Sequence, residues 1–323
     1  MSVDILLNNF SNPTFLFFIL GILAVLLKSD LALPASSSRF ISLYLLFAIG
    51  FRGGQELSHS GFSEEILLSL AFGVALSLFI PSYCFFILRI RFSISDSAAI
   101  AACYGSVSAV TYVSAIQFLE SRQLSAGGHM VAVMALMEAP AIIISLIMLN
   151  RMDPGSVQKV SLSSILKHSF TNGSVFLICG SLLIGLIADS KQAEGIRPFT
   201  NDIFKGFLAL FLLDMGMVAA RRFESFRKSS YFALLFGIII PLFNGCAVAW
   251  LSSYITQDLS NRFIFCILAA SASYIAVPAA MQLSVPNADP GIYIPMAIGI
   301  TFPFNISIGM PVYYHLINNW PLQ

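Results

Sequence analysis

Residues 105–119 read GSVSAVTYVSAIQFL, and residues 270–284 read ASASYIAVPAAMQLS. The two stretches align at a constant offset, so that Ser106 matches Ser271 and Ser108 matches Ser273. Their neighbours also match in the same order, LLSLAFGVALSLFIPSY with YFALLFGIIIPLFNGCA and MALMEAPAIIISLIM with MAIGITFPFNISIGM. Several segments that match in one order are typical of an internal repeat.

The composition is that of a protein surrounded mostly by lipid. Of the 323 residues, 57% are hydrophobic and only 10% are charged, whereas soluble domains contain about 25% charged residues. A net charge of +1 excludes a basic field suited to nucleic acid. The five cysteines lie in apolar runs without CxxC spacing, which is typical of buried apolar residues.

A membrane-spanning helix needs about 20 mostly apolar residues, and by that measure the chain has ten candidate spans. They cover residues 13–28, 40–53, 63–88, 96–119, 128–150, 173–189, 200–219, 230–255, 262–284 and 290–317. The first span follows Asp4 and no Lys or Arg, which favours a retained helix over a signal peptide. With the N-terminus outside, 11 Lys and Arg lie inside and 6 outside, which predicts that both termini are outside.

Five spans followed by five related spans insert with opposite orientations, because an odd number of crossings reverses the second set. The sequence therefore predicts an all-α polytopic membrane protein with ten transmembrane helices in a 5+5 inverted repeat. Residues 1–150 form the first repeat, residues 151–172 a cytoplasmic linker and residues 173–323 the second repeat. This architecture is found in secondary transporters.

The matched stretches lie in the fourth and ninth spans, and we expect both helices to be broken and crossed. Pro278 crowds the preceding turn, and backbone groups freed in hydrocarbon must be buried in protein or line a cavity. The half-helix N-termini then form an anion pocket, and the opposite ends offer carbonyl oxygens suited to Na⁺. Four hydroxyls complete the pocket, those of Ser106, Ser108, Ser271 and Ser273. The alternative is that these small residues are only helix-packing contacts.

Polar groups within apolar spans are costly and are candidates for a functional site. Glu138, Asp214 and Asn305 lie deep in their spans, and we interpret them as candidate Na⁺ ligands. For Asp214 the alternative is an ion pair with Lys205 or an Arg at a helix end. For Glu138 it is a buried protonated carboxyl group.

The second half of the chain closely resembles the sodium-dependent bicarbonate transporter (SbtA-like) family. The resemblance is carried by AASASYIAVPAAMQLSVPNADPGIYIPMAIGITFPFNISIGMPVYY at 269–314, and GSVSAVT, IGFRGGQEL and LFLLDMGMVAARR look similar. It covers nearly all of the chain and implies a ten-helix fold with a core domain and a gate domain. It also implies an inner-membrane homotrimer that couples inward Na⁺ movement to bicarbonate uptake.

The resemblance also implies individual binding residues. The anion contacts fall on Gly105, Ser106, Val107, Ser108, Ser271, Ala272 and Ser273. The Na⁺ side falls on Thr111, Thr301 and Asn305, together with Glu138 where relatives often carry Asp. Cyanobacterial relatives bind a PII-like regulatory protein on the cytoplasmic side, but the loop at 151–173 is shorter here, so this partner remains open.

These observations favour a Na⁺-coupled bicarbonate transporter that works by alternating access, with Na⁺ as coupling ion and no other cofactor. The alternatives are a symporter of another small anion, such as a carboxylate, and a cation/proton exchanger that uses Glu138 and Asp214. An intramembrane aspartyl protease would need a second catalytic Asp beside Asp214. No nucleophile, base and orienting group occur together, so we do not expect an enzyme. Arg52 and Glu56 are predicted to form an interfacial pair.

Overall fold

The computed structural model describes residues 12–60, 63–153, 173–226 and 231–319. Within these ranges the chain is helical and contains no strand. Nearly all of the predicted linker at 151–172 lies outside the described residues, and so does most of the loop considered for a regulatory partner.

We number the helices in chain order. They are α1 Pro13–Leu26, α2 Ala35–Ser60, α3 Glu64–Leu88, α4 Ile94–Gly105, α5 Ala109–Glu120, α6 His129–Met152, α7 Gly173–Ile187, α8 Phe204–Phe226, α9 Tyr231–Leu251, α10 Leu259–Ala270, α11 Ala276–Ser284 and α12 Pro290–Asn319. Short helical turns connect α7 to α8, and α12 contains π-helical stretches at Met296–Thr301 and Asn305–Gly309.

Six helical segments of the described chain are long and apolar enough to cross a membrane. One of them is the 27-residue segment Ile94–Glu120, which contains both α4 and α5. Three shorter apolar helices, α1, α7 and α10, add to these. The prediction of an all-α, multi-pass membrane protein is therefore confirmed, whereas the ten crossings and their inverted order stay predictions.

Both matched stretches interrupt a helix. The first interruption covers residues 106–108, between α4 and α5, and the second covers residues 271–275, between α10 and α11. Pro278 is the third residue of α11, in the first turn, where the missing N–H costs no intrahelical hydrogen bond. Its ring would clash with the carbonyl of Tyr274 if the helix continued back through that residue. At the first interruption the ring of Pro81 lies against Gly105, where any Cβ would collide with it.

Glycines bring two pairs of helices into backbone contact. Gly21 of α1 faces the carbonyl of Leu213 in α8, and Gly54 of α2 faces the backbone of α7 near Gly185. A Cβ at either glycine would overlap backbone atoms of the neighbouring helix. Close approach at small residues stabilises helix pairs in lipid through van der Waals contact. We call α1, α2, α7 and α8 the paired helices.

The broken helices lie in the interior of the protein. In the Ile94–Glu120 segment 89% of the spanning window is buried, against 39% for α3, so α4 and α5 are shielded from lipid while α3 is not. In α10 every residue from Ser260 to Ala270 is buried. Helices α3, α6, α9 and α12 pack around them. Residues 106–108 and 271–273 are thus enclosed by protein, as freed backbone groups require, whereas Ile275 at the end of the second interruption is 46% exposed.

Candidate functional site

Backbone N–H groups of both interruptions donate across to the other half of the chain. The N–H of Ser108 donates to Oγ of Ser271 at 3.1 Å, and the N–H of Ser273 donates to the carbonyl of Cys103, in the last turn of α4, at 2.8 Å. Each half of the chain therefore satisfies a backbone donor of the other half. We call residues 106–108 and 271–275 the crossing.

A serine hydroxyl accepts a hydrogen bond from the first turn of the helix that follows each interruption, although the N-cap of α5 is Ser108 and that of α11 is Ile275. Oγ of Ser108 accepts from the N–H of Thr111 at 3.2 Å, and Oγ of Ser273 accepts from the N–H of Val277 at 3.4 Å. These two serines occupy matching positions in the aligned stretches. The N-termini of α5 and α11 begin at the crossing, and each carries the partial positive charge of a helix start.

One hydroxyl at the crossing has no partner. Oγ of Ser106 is buried and makes no hydrogen bond to any described residue, while Oγ of Ser271 donates to the carbonyl of Leu268 at 3.0 Å. An unsatisfied buried hydroxyl costs about 1–3 kcal/mol, so Ser106 offers a donor that a bound solute would satisfy.

A small cavity lies between the crossing and the paired helices. Its lining residues are Ser42, Leu45, Leu46, Val107, Ser108, Ala109, Val110, Val113, Glu138, Ser174, Phe211, Ser273, Tyr274, Ile275 and Ala276. Its volume is about 20 Å³, and one water molecule needs about 10–15 Å³, so in this conformation the cavity has room for about one water molecule. We call it the central cavity.

The central cavity combines one carboxyl group with two helix N-termini. Glu138 of α6 lines it together with Ser108 and Ser273, and Glu138 is 9% exposed. None of the lining residues is Lys or Arg. A site of this kind provides partial positive charge from backbone N–H groups and one carboxyl group, which can bind a cation when it is ionised.

The other candidate Na⁺ ligands do not line the central cavity. Oγ1 of Thr301 donates to the carbonyl of Gly237 at 2.8 Å and lies 2.7 Å from the hydroxyl of Tyr104. Nδ2 of Asn305 donates to the carbonyl of Ala270 at 2.7 Å. Thr111 is buried in the first turn of α5, just after the crossing in the chain. The amide of Asn305 thus supports the end of α10 at the crossing.

Asp214 is buried in α8, with 7% of its surface exposed. The alternative interpretation placed it in an ion pair with Lys205 or an Arg at a helix end, and no such pair occurs among the described residues. Asp214 does not line the central cavity, although Phe211 of the same helix does. Asp214 therefore does not share the central cavity with Glu138, although its neighbour Met215 contacts the hydroxyl of Tyr274 in the crossing.

Sequence reasoning missed Asn244 in α9. Its Nδ2 donates to the carbonyl of Ala269 at 3.1 Å, and its Oδ1 accepts from the hydroxyl of Tyr83. Asn244 and Asn305 thus bind the last two carbonyls of α10. Asn244 is a polar residue within an apolar span, so the rule that selected Asn305 applies to it as well. Ser42 and Ser174, which complete the cavity wall, carry no signal in the sequence.

Arg52 pairs with Glu120 of α5 instead of Glu56, its predicted partner. Glu56 follows Arg52 by one helical turn and lies exposed, whereas Glu120 reaches Arg52 across the gap between α2 and α5. All three line a second cavity of about 40 Å³, with Tyr112 in its wall. The ion pair ties a paired helix to a broken helix.

We expect Arg52→Glu to lower the thermal unfolding midpoint and Arg52→Glu with Glu120→Arg to restore it. The pair is partly exposed, at 26% and 18%, so its contribution is about 1 kcal/mol or less. Unfolding of the two single variants and the double variant in detergent would measure the coupling. If the loss of stability in the double variant equalled the sum of the losses in the two single variants, the pair would have no stabilising role.

A sequence profile of the Na⁺-dependent bicarbonate transporter superfamily matches residues 13–318. No curated protein sequence matches the chain. The profile covers both interruptions, Glu138 and the paired helices. Because it is a profile of transporters, the chain is not an enzyme. The chain belongs to the Na⁺-dependent bicarbonate transporter superfamily.

Proposed function

We propose that the protein takes up bicarbonate with Na⁺ by alternating access, with the central cavity as the transport site. The observation that carries this proposal is that two helix N-termini, each with a serine hydroxyl bound to its first turn, meet at one cavity whose lining has no Lys or Arg. Such a site attracts a small anion without the permanent charge that would hold it too tightly to release.

The anion is held by the crossing itself. Of the predicted contacts, Val107, Ser108 and Ser273 line the central cavity, whereas Gly105, Ser106, Ser271 and Ala272 are buried sequence neighbours that do not line it. In the proposed bound state the unpartnered hydroxyl of Ser106 supplies one donor, and the hydroxyls of Ser108 and Ser273 turn toward the solute. Hydrogen bonds to a charged group contribute about 1.5–3 kcal/mol each.

Na⁺ is the coupling ion because Glu138 lines the same cavity as the anion site. An ionised Glu138 repels bicarbonate, and a cation bound at its oxygens removes that repulsion. One anionic charge crossing 100 mV against the potential also costs about 2.3 kcal/mol, which cotransport of Na⁺ offsets. Among the candidate Na⁺ ligands we therefore favour Glu138 over Asp214. Thr111, Thr301 and Asn305 do not line the central cavity, and we propose that they act on the site indirectly.

The inverted repeat accounts for the helix pairs. In a 5+5 arrangement with repeats at 1–150 and 173–323, the contact of α2 with α7 is equivalent to that of α8 with α1. The contacts of α3 with α6 and of α9 with α12 are equivalent in the same way. The paired helices then form the gate domain and the remaining helices the core domain, which move relative to each other. We also propose that the protein is a homotrimer in the inner membrane and that both termini of each subunit lie outside.

Uptake of labelled bicarbonate into proteoliposomes with and without a Na⁺ gradient tests this function. We expect uptake only with inward Na⁺, with no inhibition by excess acetate or formate. Uptake that these carboxylates abolish would favour the alternative substrate class, and Na⁺-independent uptake would contradict the coupling. An exchanger based on Glu138 and Asp214 is disfavoured because the two residues do not share a cavity.

Ser106→Ala should weaken bicarbonate transport about 10-fold or more through a higher KM. The change removes one hydrogen bond to a charged solute, and a tenfold effect corresponds to about 1.4 kcal/mol. Ser114→Ala is the matched control, because Oγ of Ser114 only donates to the carbonyl of Val110 in its own helix. Equal KM values for the two variants would show that Ser106 does not contact the anion.

Asn305→Leu should reduce thermal stability by about 1–3 kcal/mol, because the carbonyl of Ala270 loses its donor in a buried site. Asn319→Leu, at the exposed end of α12, is the control. We expect the loss to be the same with and without Na⁺. A loss that Na⁺ reverses, or a Na⁺ affinity reduced as strongly as by removal of the Glu138 charge, would instead make Asn305 a direct ligand.

A further inference from the structure

A large apolar groove opens between α1, α8 and α12. It is lined by Ile22, Val25, Leu26, Lys28, Ala219, Ala220, Phe223, Gly299 and Pro303. Its volume is about 570 Å³, against about 20 Å³ for the central cavity. Small residues leave this space open, since Ala219 and Ala220 of α8 line it together with Gly299 in the π-helical part of α12. We call it the α12 groove.

The α12 groove is suited to hydrocarbon and not to ions. Its lining contains one charged residue, Lys28, and eight apolar ones, so it offers little to replace the hydration shell of an ion. Leu26 and Phe223 at its edge are 68% and 40% exposed, as lipid-facing residues are. An apolar cavity of 150 Å³ already binds a benzene ring, and this groove is roughly four times larger. Hydrocarbon fills such a space because its walls otherwise lose dispersion contacts.

Positive charge marks one end of the α12 groove. Lys28 lines it just beyond the last turn of α1. Arg222 lies beside it on α8, with its Cβ 3.5 Å from the position that a Cβ on Gly299 would occupy. A basic residue at the membrane surface increases the affinity for anionic lipid about fivefold.

We propose that the α12 groove binds an anionic phospholipid, with one acyl chain against Gly299 and the phosphate between Lys28 and Arg222. The acyl chain lies where α1 and α8 meet α12, beside the direct contact between α8 and α12 at Gly299. Helix α12 carries Asn305, which supports the crossing through Ala270. The lipid therefore occupies the boundary across which the paired helices and the rest of the protein move.

Tryptophan fluorescence with brominated lipids tests this site without any transport measurement, so its failure is separate from failure of the proposed function. In the full chain with Trp250→Phe and Trp320→Phe, Phe223→Trp places the only tryptophan in the groove. Phe176→Trp is the control, because Phe176 of α7 is 69% exposed and lines none of the cavities described above. The lipids are brominated phosphatidylglycerol and brominated phosphatidylcholine in otherwise identical vesicles.

For the Phe223→Trp variant we compare the mole fractions of brominated lipid that give half-maximal quenching. We expect this fraction to be at least fivefold lower for phosphatidylglycerol than for phosphatidylcholine. Lys28→Gln with Arg222→Gln should bring that ratio close to one, and Phe176→Trp should show no preference. Equal quenching by both lipids at Phe223→Trp would refute the anionic site. Quenching by neither lipid would mean that protein, such as a second copy of this chain, covers the groove, and would also overturn the proposal.

Copurified lipid gives a second measurement that needs no tryptophan substitution. Gly299→Leu places a side chain in the groove, whereas Gly206→Leu adds the same side chain where no atom lies within 4 Å of its Cβ. We expect phosphatidylglycerol bound per protein to fall at least twofold in Gly299→Leu and to stay unchanged in Gly206→Leu. Equal amounts in the two variants would contradict the proposal.

Discussion

Ser273→Leu is expected to reduce bicarbonate transport by about 100-fold or more while the protein remains folded. Ser273 accepts from the N–H of Val277 in the first turn of α11 and lines the central cavity, so leucine both removes this acceptor and fills a space of about 20 Å³. An anion forced against an apolar side chain loses hydrogen bonds worth about 3 kcal/mol in total, and each 1.4 kcal/mol is a factor of ten. The measurement is Na⁺-driven uptake in proteoliposomes containing equal amounts of protein.

Ser82→Leu is the control for this substitution. Ser82 lies on α3, and its Oγ donates to the carbonyl of Leu78 in its own helix. The control should transport like the parent protein, and both variants should elute as one symmetrical peak in detergent. Retained transport in folded Ser273→Leu would show that the crossing serines only pack helices, which is the alternative that the sequence left open.

The sequence located the crossing because the relevant signal is local. Matching serines at 106 and 271, and at 108 and 273, identified the two interruptions, and both proved to be in contact. The break after Gly105 contains no proline. It coincides with the contact between Gly105 and Pro81, which depends on how α3 packs against α4 and is not encoded in the segment itself.

The sequence was less informative about which polar residues share a space. Glu138, Asp214 and Asn305 looked alike as polar groups within apolar spans. The structure places Glu138 at the central cavity, Asp214 away from it and Asn305 on a carbonyl of α10. These differences depend on helix rotation and on lateral neighbours, which hydropathy does not specify. The same reason explains why the partner of Arg52 is Glu120 and not the residue one turn away.

Glu138 connects the two ligands of the proposed cycle, because it is the one carboxyl group in the central-cavity lining. A carboxylate beside an anion site would be a defect in a simple bicarbonate pore, since the two like charges repel. In a cotransporter the same repulsion becomes useful, because the anion binds well only after Na⁺ has bound. Coupling then requires no conformational signal between distant sites.

Glu138→Gln should therefore have opposite effects on the two ligands. Na⁺ affinity should fall about 100-fold or more, because two unit charges 4 Å apart attract by about 4 kcal/mol at an effective dielectric constant of about 20. Bicarbonate should bind more tightly than to the parent protein when Na⁺ is absent, because the repulsion is gone. Calorimetric titration of bicarbonate with and without Na⁺ measures both effects.

Two further variants distinguish charge from general disruption at this position. Glu138→Asp keeps the carboxylate and should keep Na⁺-dependent binding, whereas Glu64→Gln removes an exposed carboxyl group at the start of α3 and should change neither ligand. If Glu138→Gln retained the full Na⁺ requirement, the coupling ligand would lie elsewhere, and Asp214→Asn would be the next variant to measure. If it lost bicarbonate binding both with and without Na⁺, Glu138 would support the fold of the cavity and would not control coupling. Only the divergence of the two affinities fits a carboxylate that makes anion binding conditional on the cation.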